Sequence, residues 1–412
     1  MKKLKIAVIG SGISGLSSAY YLSKYFKVDL FEKNNYFGGH THTQTVNDGR
    51  KNINVDTGFI VFNKINYPNL CSLFDELNVK SNSSDMSFAF YSQNDGMEYS
   101  GTNLSTIFTQ KRRLFDPKFL KMLLEIVKFN LNATKHMKTF SEYTIEDYLN
   151  KEKYSEYFKN KHLYPIAASI WSSSLSDIKR YPFEKLVIFF KNHGLLKVFN
   201  RPKWRTVSGG SKNYVEKILQ SKNLSSFKNC AVKIKNIKNK KIYINFKNKI
   251  KVYDHLIIAT HADQVAKILG FNKKIKAIFE NIKYTKNRVF LHSDDRLMPQ
   301  SKKAWSSWNY IDNGNNNQIF VTYWMNLLQK LDTKKNFFVS LNPDIIPQRN
   351  KIFSKQLYDH PLFDFNIFNN QKKIDKIQGI KNIWFVGAYL GYGFHEDGII
   401  SALKVVKKIV KD

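Results

Sequence analysis

The amino-acid sequence predicts an α/β fold in which a Rossmann-type dinucleotide-binding domain is interleaved with a second, α+β domain. Three observations predict it. An apolar strand at the start of the chain runs directly into a glycine-rich turn and a helix. The next strand ends in an acid, and a final apolar strand followed by glycines and a helix closes the chain. Strand-rich and helix-rich stretches alternate between them, with no internal repeat or Pro/Gly/Ser tract to separate blocks.

Leu4 to Ile9 reads as a buried parallel strand, short and apolar throughout. Gly10-Ser11-Gly12-Ile13-Ser14-Gly15 then fits G-x-G-x-x-G, and Leu16, Ala19, Tyr20 and Leu22 follow at helical spacing. Gly10 serves the tight turn, Gly12 the approach of backbone to a pyrophosphate, and Gly15 the packing of helix on strand. Free N–H groups at the helix start hold phosphate. Val28 to Phe31 is the second strand, and Glu32 at its end suits the ribose hydroxyls while disfavouring a 2′-phosphate. Ser11, Ser14 and Lys33 belong to the same site. A second pair, Gly38-Gly39, precedes His40-Thr41-His42-Thr43 and lets another backbone segment reach the far side of a pyrophosphate, which a domain for NAD alone does not need.

Further along, Asn66 to Leu77 reads as a helix capped by Asn66, with Leu70, Leu73, Phe74 and Leu77 on one face. From about 100 to 200 the pattern is helical, aromatic and lysine-rich. The runs AVKIKNI, KIYINF and KVYDHLIIAT between Ala231 and Ala259 read as a strand meander. RVFLHS, AWSSWNYI, QIFVTYW and FFVSL, between 285 and 342, read as strands again. Ile383 to Gly387 is the last strand and a helix starts at about Asp397. The expected division is 1–85, 206–275 and 376–412 for the cofactor domain, with 86–205 and 276–375 for the substrate domain.

Lys and Arg number 66 against 33 acids, a formal net charge of +33. Nine of the 66 are arginine, leaving 57 lysines spread from end to end. Arginine is the residue of bidentate phosphate and base contacts, so dispersed lysine points to compositional drift rather than to specific nucleic-acid recognition. At 42% hydrophobic and 15% aromatic, the chain can bury a sizeable core. Two cysteines, Cys71 and Cys230, are too few for a disulfide framework or a zinc site, and the cytoplasm is the expected compartment. The opening MKKLKIAVIGSGISGL has a signal-like charge and apolar run, but its glycines and lack of a cleavage pattern argue against one.

The string GSGISGLSSAYYLSKYFKVDLFEKNNYFGGH resembles the FAD signature of the flavin amine oxidase and phytoene desaturase superfamily. The resemblance covers essentially the whole chain and implies a GR2-like FAD-binding domain interleaved with the substrate domain. GGHTHT, VDTGFIVFN, SDMSF, WSSWNY, VTYWMN and LGYGFHEDG are similar to a bacterial branch, the predicted NAD/FAD-binding proteins found beside cyclopropane-fatty-acid synthases. In VGAYLGYGFHEDGIISAL the resemblance places strand end and helix start against the ribityl chain and flavin, where the positive end of a helix dipole favours an anionic ring. Gly387, Gly391 and Gly393 then allow close approach, and Gly398 lets the helix start against the ring. Many relatives carry an acid where this chain has Ala388, so ribityl contact is expected from backbone or from Glu396 or Asp397, unless these only favour the helix dipole.

Catalysis in such a protein falls to the flavin, which the protein orients and tunes. No G-x-S-x-G, H-E-x-x-H or metal-spaced His/Cys cluster occurs, and His40 and His42 lack a third ligand, so no metal is expected. His395 and Tyr392 are the ionisable groups expected nearest the ring, as proton-transfer or merely positioning residues. Val232 is expected to bond adenine through its backbone, and His261 to satisfy a loop. Trp171, Trp308, Tyr323, Trp324 and Asn326, with Trp305 and Tyr310, are candidates for an aromatic-lined pocket. Phe115 to Met137 reads as an amphipathic helix, packed on the protein or lying on a membrane surface.

These readings lead to an FAD-dependent oxidoreductase of desaturase or dehydrogenase type. It would take hydride from a lipid-like, fatty acyl substrate to flavin N5, with oxygen or a quinone-type carrier as electron acceptor. Peripheral contact with anionic lipid at the inner face of the membrane is compatible with the charge. The alternatives are an amine or polyamine oxidase, disfavoured by a cationic surface, a non-redox flavin isomerase similar to galactopyranose mutases, and a basic membrane- or nucleic-acid-binding protein.

Overall fold

The computed structural model describes residues 4–197, 200–269, 273–314 and 318–411. Lys2 and Lys3, part of the signal-like opening, lie outside the described residues, as does Asp412, the expected end of the last cofactor segment. A five-stranded parallel sheet forms the first layer: β1 (Lys5–Ile9), β2 (Lys27–Phe31), β3 (Leu224–Phe227), β4 (His255–Ile258) and β5 (Ile383–Phe385), in the order β3-β2-β1-β4-β5. β1 is central, pairing Ile6 with Val28 on one side and with His255 on the other. Ile6, Ala7 and Val8 are fully buried, as expected of a parallel strand covered on both faces.

Two helices pack together on one face of this sheet: α1 (Ile13–Ser23), which follows β1, and α2 (His395–Lys411), which follows β5. Leu16, Ala19 and Leu22 from α1 share a core with Ile399, Val405 and Val406 from α2. Sequence positions almost 400 residues apart are thus neighbours, so the chain closes on its own beginning.

The meander forms an antiparallel sheet of Lys233–Lys238, Lys241–Phe246 and Lys249–Tyr253. The run KVYDHLIIAT is therefore two strands and not one. The chain breaks at Asp254, whose carboxylate accepts the Lys5 amide at 2.8 Å and pairs with Lys241, and β4 then enters the parallel sheet.

The second layer is a seven-stranded mixed sheet: Ile352–Pro361, Tyr284–His292, Phe338–Leu341, Val321–Trp324, Trp308–Asp312, Phe88–Ser92 and Glu98–Ser100, in that spatial order. The expected strands from 285 to 342 are present, although AWSSWNYI becomes strand only from Trp308. The ten-residue Ile352–Pro361 edge strand has no counterpart in the sequence reading; its mostly half-buried residues show no clean alternation. The stretch from about 100 to 200 is largely helical, as expected, its longest helix being Pro117–His136.

The expected helix after Asn66 runs from Pro68 to Glu76, and Asn66 does not cap it: its Nδ2 donates to Asn192 O instead. The cap comes from the far end of the chain, as described below.

Candidate active site

The strand–turn–helix at the N-terminus forms a cradle. Gly10 has φ +100°, a region open mainly to glycine, and a Cβ there would lie 2.7 Å from Ala259 O. A Cβ on Gly15 would lie 1.9 Å from Gly10 O, so Gly15 serves helix-on-strand packing. Gly12 is different. It has φ −65°, lines a cavity, and a Cβ there would meet nothing within 4 Å. The missing side chain at Gly12 makes room for an occupant of the cavity, not for the protein. The first turn of α1 carries neither a side-chain cap nor an acid, so its N–H groups remain for an anion.

Glu32 is buried, with Oε2 accepting from the Ser11 N–H at 3.0 Å and hydroxyl at 2.6 Å, and Oε1 from Asn34 N at 2.9 Å. It locks the glycine turn to the end of β2 and lies on the cavity wall with Lys33, Ser14 and Val232. Gly38 (φ +123°) docks its N–H on Ser11 O at 3.1 Å, and Gly39 (φ +59°) follows on the wall. The second glycine pair thus brings another backbone segment against the first, as its spacing implies.

Beyond Gly39 the chain delivers His40 into a cluster of imidazoles. Its ring centre lies 5.1 Å from those of His360 and Tyr358 and 5.7 Å from that of His261. His360 and Tyr358 come from the edge strand that sequence reading missed. Burial pushes His40 and His360 down to about 3 and His261 to about 4, so all three are neutral near pH 7. His40 Nε2 and His261 Nδ1 are buried without a partner among the described residues. A buried polar atom without a partner costs about 1–3 kcal/mol. Two of them on one wall, beside the open Gly12 and the uncapped helix, fit a dinucleotide that would satisfy them. No group of three His, Cys, Asp or Glu side chains among the described residues has metal-holding geometry.

The cavity is large, about 2180 Å³, whereas small-molecule sites commonly measure ~300–1,000 Å³. It continues from the cradle into a chamber walled by Trp171, Trp308, Tyr323, Ile126, Phe129 and Ile166. Trp308 packs edge-on against Tyr323 at 4.8 Å, and its Nε1 is buried without a partner among the described residues. Trp171 donates to Tyr392 O at 3.3 Å. Trp324 and Asn326 are not on the wall. Strand alternation turns Trp324 away from Tyr323, so that its Nε1 bonds Asn336 Oδ1 at 3.1 Å. Asn326 ties the following loop through Lys335 O and Phe337 N, both at 2.8 Å. Trp305 and Tyr310 likewise pack elsewhere, against Trp324 and Phe90.

The last motif divides. Gly387, Ala388, Tyr392 and His395 line the cavity. His395 stacks on Phe59 at 3.6 Å, and its Nε2 lies 3.1 Å from both Thr41 Oγ1 and Tyr214 OH. Burial pushes it down to about 3. Glu396 turns away from the cavity: its carboxylate accepts the Asn69 N–H at 2.9 Å, the Asn69 amide group at 2.6 Å and the Leu70 N–H at 3.0 Å. It caps the helix Pro68–Glu76 across 327 residues of chain, so it is not a cofactor ligand. Asp397 accepts the Phe394 N–H at 2.9 Å and is also off the wall. Gly398 serves packing, since a Cβ there would lie 2.7 Å from Ile13 and 2.8 Å from Ser14 of α1.

Comparison with known proteins agrees with this geometry. Residues 8–77 match the NAD(P)-binding Rossmann-like domain family. No curated protein matches the chain in sequence. Solved structures match over its whole length. A putative protoporphyrinogen oxidase from Exiguobacterium sp. 255-15 superposes with TM-score 0.71 at 11% identity, over 100% of both chains. A CLA-producing fatty acid isomerase from P. acnes gives 0.72 at 15%, and cyclohexylamine oxidase from Brevibacterium oxydans IH-35A gives 0.65 at 12%, each over 99% of both chains. At 11–15% identity these likenesses establish the fold: a Rossmann-like nucleotide-binding domain set in the whole-chain architecture of these solved structures.

Proposed function

We propose that the protein is an FAD-dependent oxidoreductase of desaturase or dehydrogenase type acting on a lipid-like, fatty acyl substrate. One observation carries the reading: a single cavity joins the glycine cradle to a chamber of aromatic and aliphatic side chains. FAD, when bound, would supply two-electron redox chemistry, with oxygen or a quinone-type carrier as the final acceptor. The N–H groups opening α1 would hold the pyrophosphate, Glu32 the ribose hydroxyls, and the Val232 backbone the adenine. His40 and His261 offer their free nitrogens to the same group, and backbone at Gly387 and Ala388 takes the place of the absent ribityl acid. His395, held by Thr41, Tyr214 and Phe59, is a positioning residue that fixes this wall. Tyr392 faces the cavity as the remaining ionisable candidate. Trp171, Trp308 and Tyr323 exclude water and orient an apolar chain.

An amine substrate fits less well. Asp85, beside the aromatic chamber, already accepts from the Ser87 N–H and hydroxyl and from the Ser307 hydroxyl, and the other aspartates on the cavity wall, Asp263 and Asp359, flank the histidine cluster instead. A flavin isomerase acting on a fatty acid would use the same chamber, a reading favoured by the likeness to the P. acnes isomerase. Anaerobic mixing of the FAD-loaded protein with fatty acids, phospholipids and amines separates the three. Net bleaching by an acyl substrate supports the proposal, bleaching by amines alone refutes it, and double-bond migration without net bleaching identifies the isomerase.

A further inference from the structure

Helix Pro117–His136 presents two apolar faces. One is internal: Phe119, Met122 and Phe129 are buried, and Ile126, Phe129 and Asn130 line the chamber. The other faces solvent. Leu120, Leu124, Val127 and Leu131, spaced 4-3-4, form a single stripe, with Leu124 72% and Leu131 64% exposed. Lys121, Lys128 and Lys135, spaced seven apart, run beside it, all exposed. The segment leading into the helix adds Phe115, 86% exposed, together with Lys111, Arg112 and Lys118. Leu104, 75% exposed, lies on the cavity rim.

The charge of this segment is predominantly positive. Between residues 101 and 141 the sequence holds only two acids, Asp116 and Glu125. Asp116 caps the helix and pairs with Arg113 at 2.6 Å. Glu125 is buried and holds the Ser155 N–H and hydroxyl. Within that segment no exposed carboxylate opposes the cations; the nearest ones, exposed Glu142 and half-buried Glu152 beside His136, lie toward the C-terminal end of the helix. Soluble surfaces scatter single apolar residues, but a stripe four long flanked by lysine is the composition of a helix lying in a lipid interface. No helix among the described residues is long and apolar enough to cross a membrane, so contact through this face would be one-sided.

We infer that the outer face of Pro117–His136, with Phe115 and Leu104, docks the protein on an anionic lipid surface and sets the cavity rim against the bilayer. Acyl chains then pass from lipid to chamber beneath the same helix whose inner side walls it. The inference rests on the lipid-substrate reading for its purpose, but the docking is measurable without turnover.

The experiment is co-sedimentation of the FAD-loaded full chain with vesicles of equimolar phosphatidylglycerol and phosphatidylcholine, and with phosphatidylcholine alone. Binding to the anionic vesicles, weakened by salt, is expected, with little binding to the neutral ones. L124N/L131N and K121E/K135E should each lower the partition coefficient about tenfold or more, while I65N and K238E, at exposed sites elsewhere, leave it unchanged. The variants alter solvent-facing side chains, and unchanged melting temperatures and flavin content confirm intact folds. Equal binding to neutral vesicles, wild-type binding by both helix variants, or no binding at all overturns the inference. So does a dimer in the absence of lipid that L124N/L131N dissociates, since the stripe would then be covered by a second copy. Vesicle binding without bleaching by any lipid would refute the substrate reading and leave the docking standing.

Discussion

Gly12 and Gly15 are three residues apart, and the structure assigns them opposite roles. At Gly12, with φ −65° and ψ 177°, an alanine meets no protein atom within 4 Å. Replacing glycine at a compatible site stabilises by about 0.4–1 kcal/mol through the unfolded state, and losing glycine at an N-cap costs a similar amount. The net change in G12A stays within about 1 kcal/mol. With an unfolding entropy of ~2.1 cal/mol/K per residue, that is about 1 °C in Tm for a chain of this length. The Cβ does intrude where a pyrophosphate must approach. Losing one charge-assisted hydrogen bond costs about 1.5–3 kcal/mol, so FAD affinity should fall at least about tenfold at 1.4 kcal/mol per decade. G15A does the reverse: its Cβ would lie 1.9 Å from Gly10 O, and the backbone shift should cost about 3 kcal/mol or more, a Tm drop of roughly 3 °C. Thermal melting of the apoproteins and FAD titration by fluorescence quenching read the two effects separately. A G12A protein that binds FAD within threefold of wild type, or melts far below it, refutes the assignment of the cradle.

Four further outcomes follow from the structure. Stability of the apoprotein should fall as pH drops below about 6.5, because His40, His261, His360 and His395 are held neutral with depressed values of about 3–4 and must protonate on unfolding. Each contributes up to about 1.4 kcal/mol per pH unit in that window. Burial raises Asp56 and Asp397 to about 6, which gives part of this back as they protonate between about 6 and 4; denaturant midpoints from pH 8 to 5 should show a net decline. E396A should lower Tm by stripping the cap from Pro68–Glu76, at about 1–2 kcal/mol, while leaving FAD affinity within a few-fold, by the same melting and quenching assays. W308A should raise KM for an apolar substrate tenfold or more in steady-state kinetics, whereas W324F, off the wall, leaves KM unchanged.

The features legible in the sequence are those where backbone geometry admits one residue type. Gly10, Gly15, Gly38 and Gly39 occupy positions that a Cβ would crowd or a positive φ would strain, so their spacing alone announced the cradle. β1, β4 and β5 were legible because strands covered on both faces read as unbroken apolar runs. What escaped depends on partners far away in the chain. Glu396 looks like a helix-start acid until Asn69 and Leu70 are seen beside it. Tyr323 and Trp324 are equivalent in composition, and only the phase of the strand sends one inward. Tyr358 and His360 sit on an edge strand with no period to betray it, so the histidine cluster was visible only as His40 and a His261 read as satisfying a loop. Glycine pattern reports local conformation; side-chain convergence is a property of the sheet.

Flavin retention tests the central claim most directly. After incubation with FAD and removal of free nucleotide, the absorption at about 450 nm should correspond to one flavin per chain, and G12A should retain distinctly less at the same concentration. A wild-type protein that retains no flavin under these conditions contradicts the account at its root.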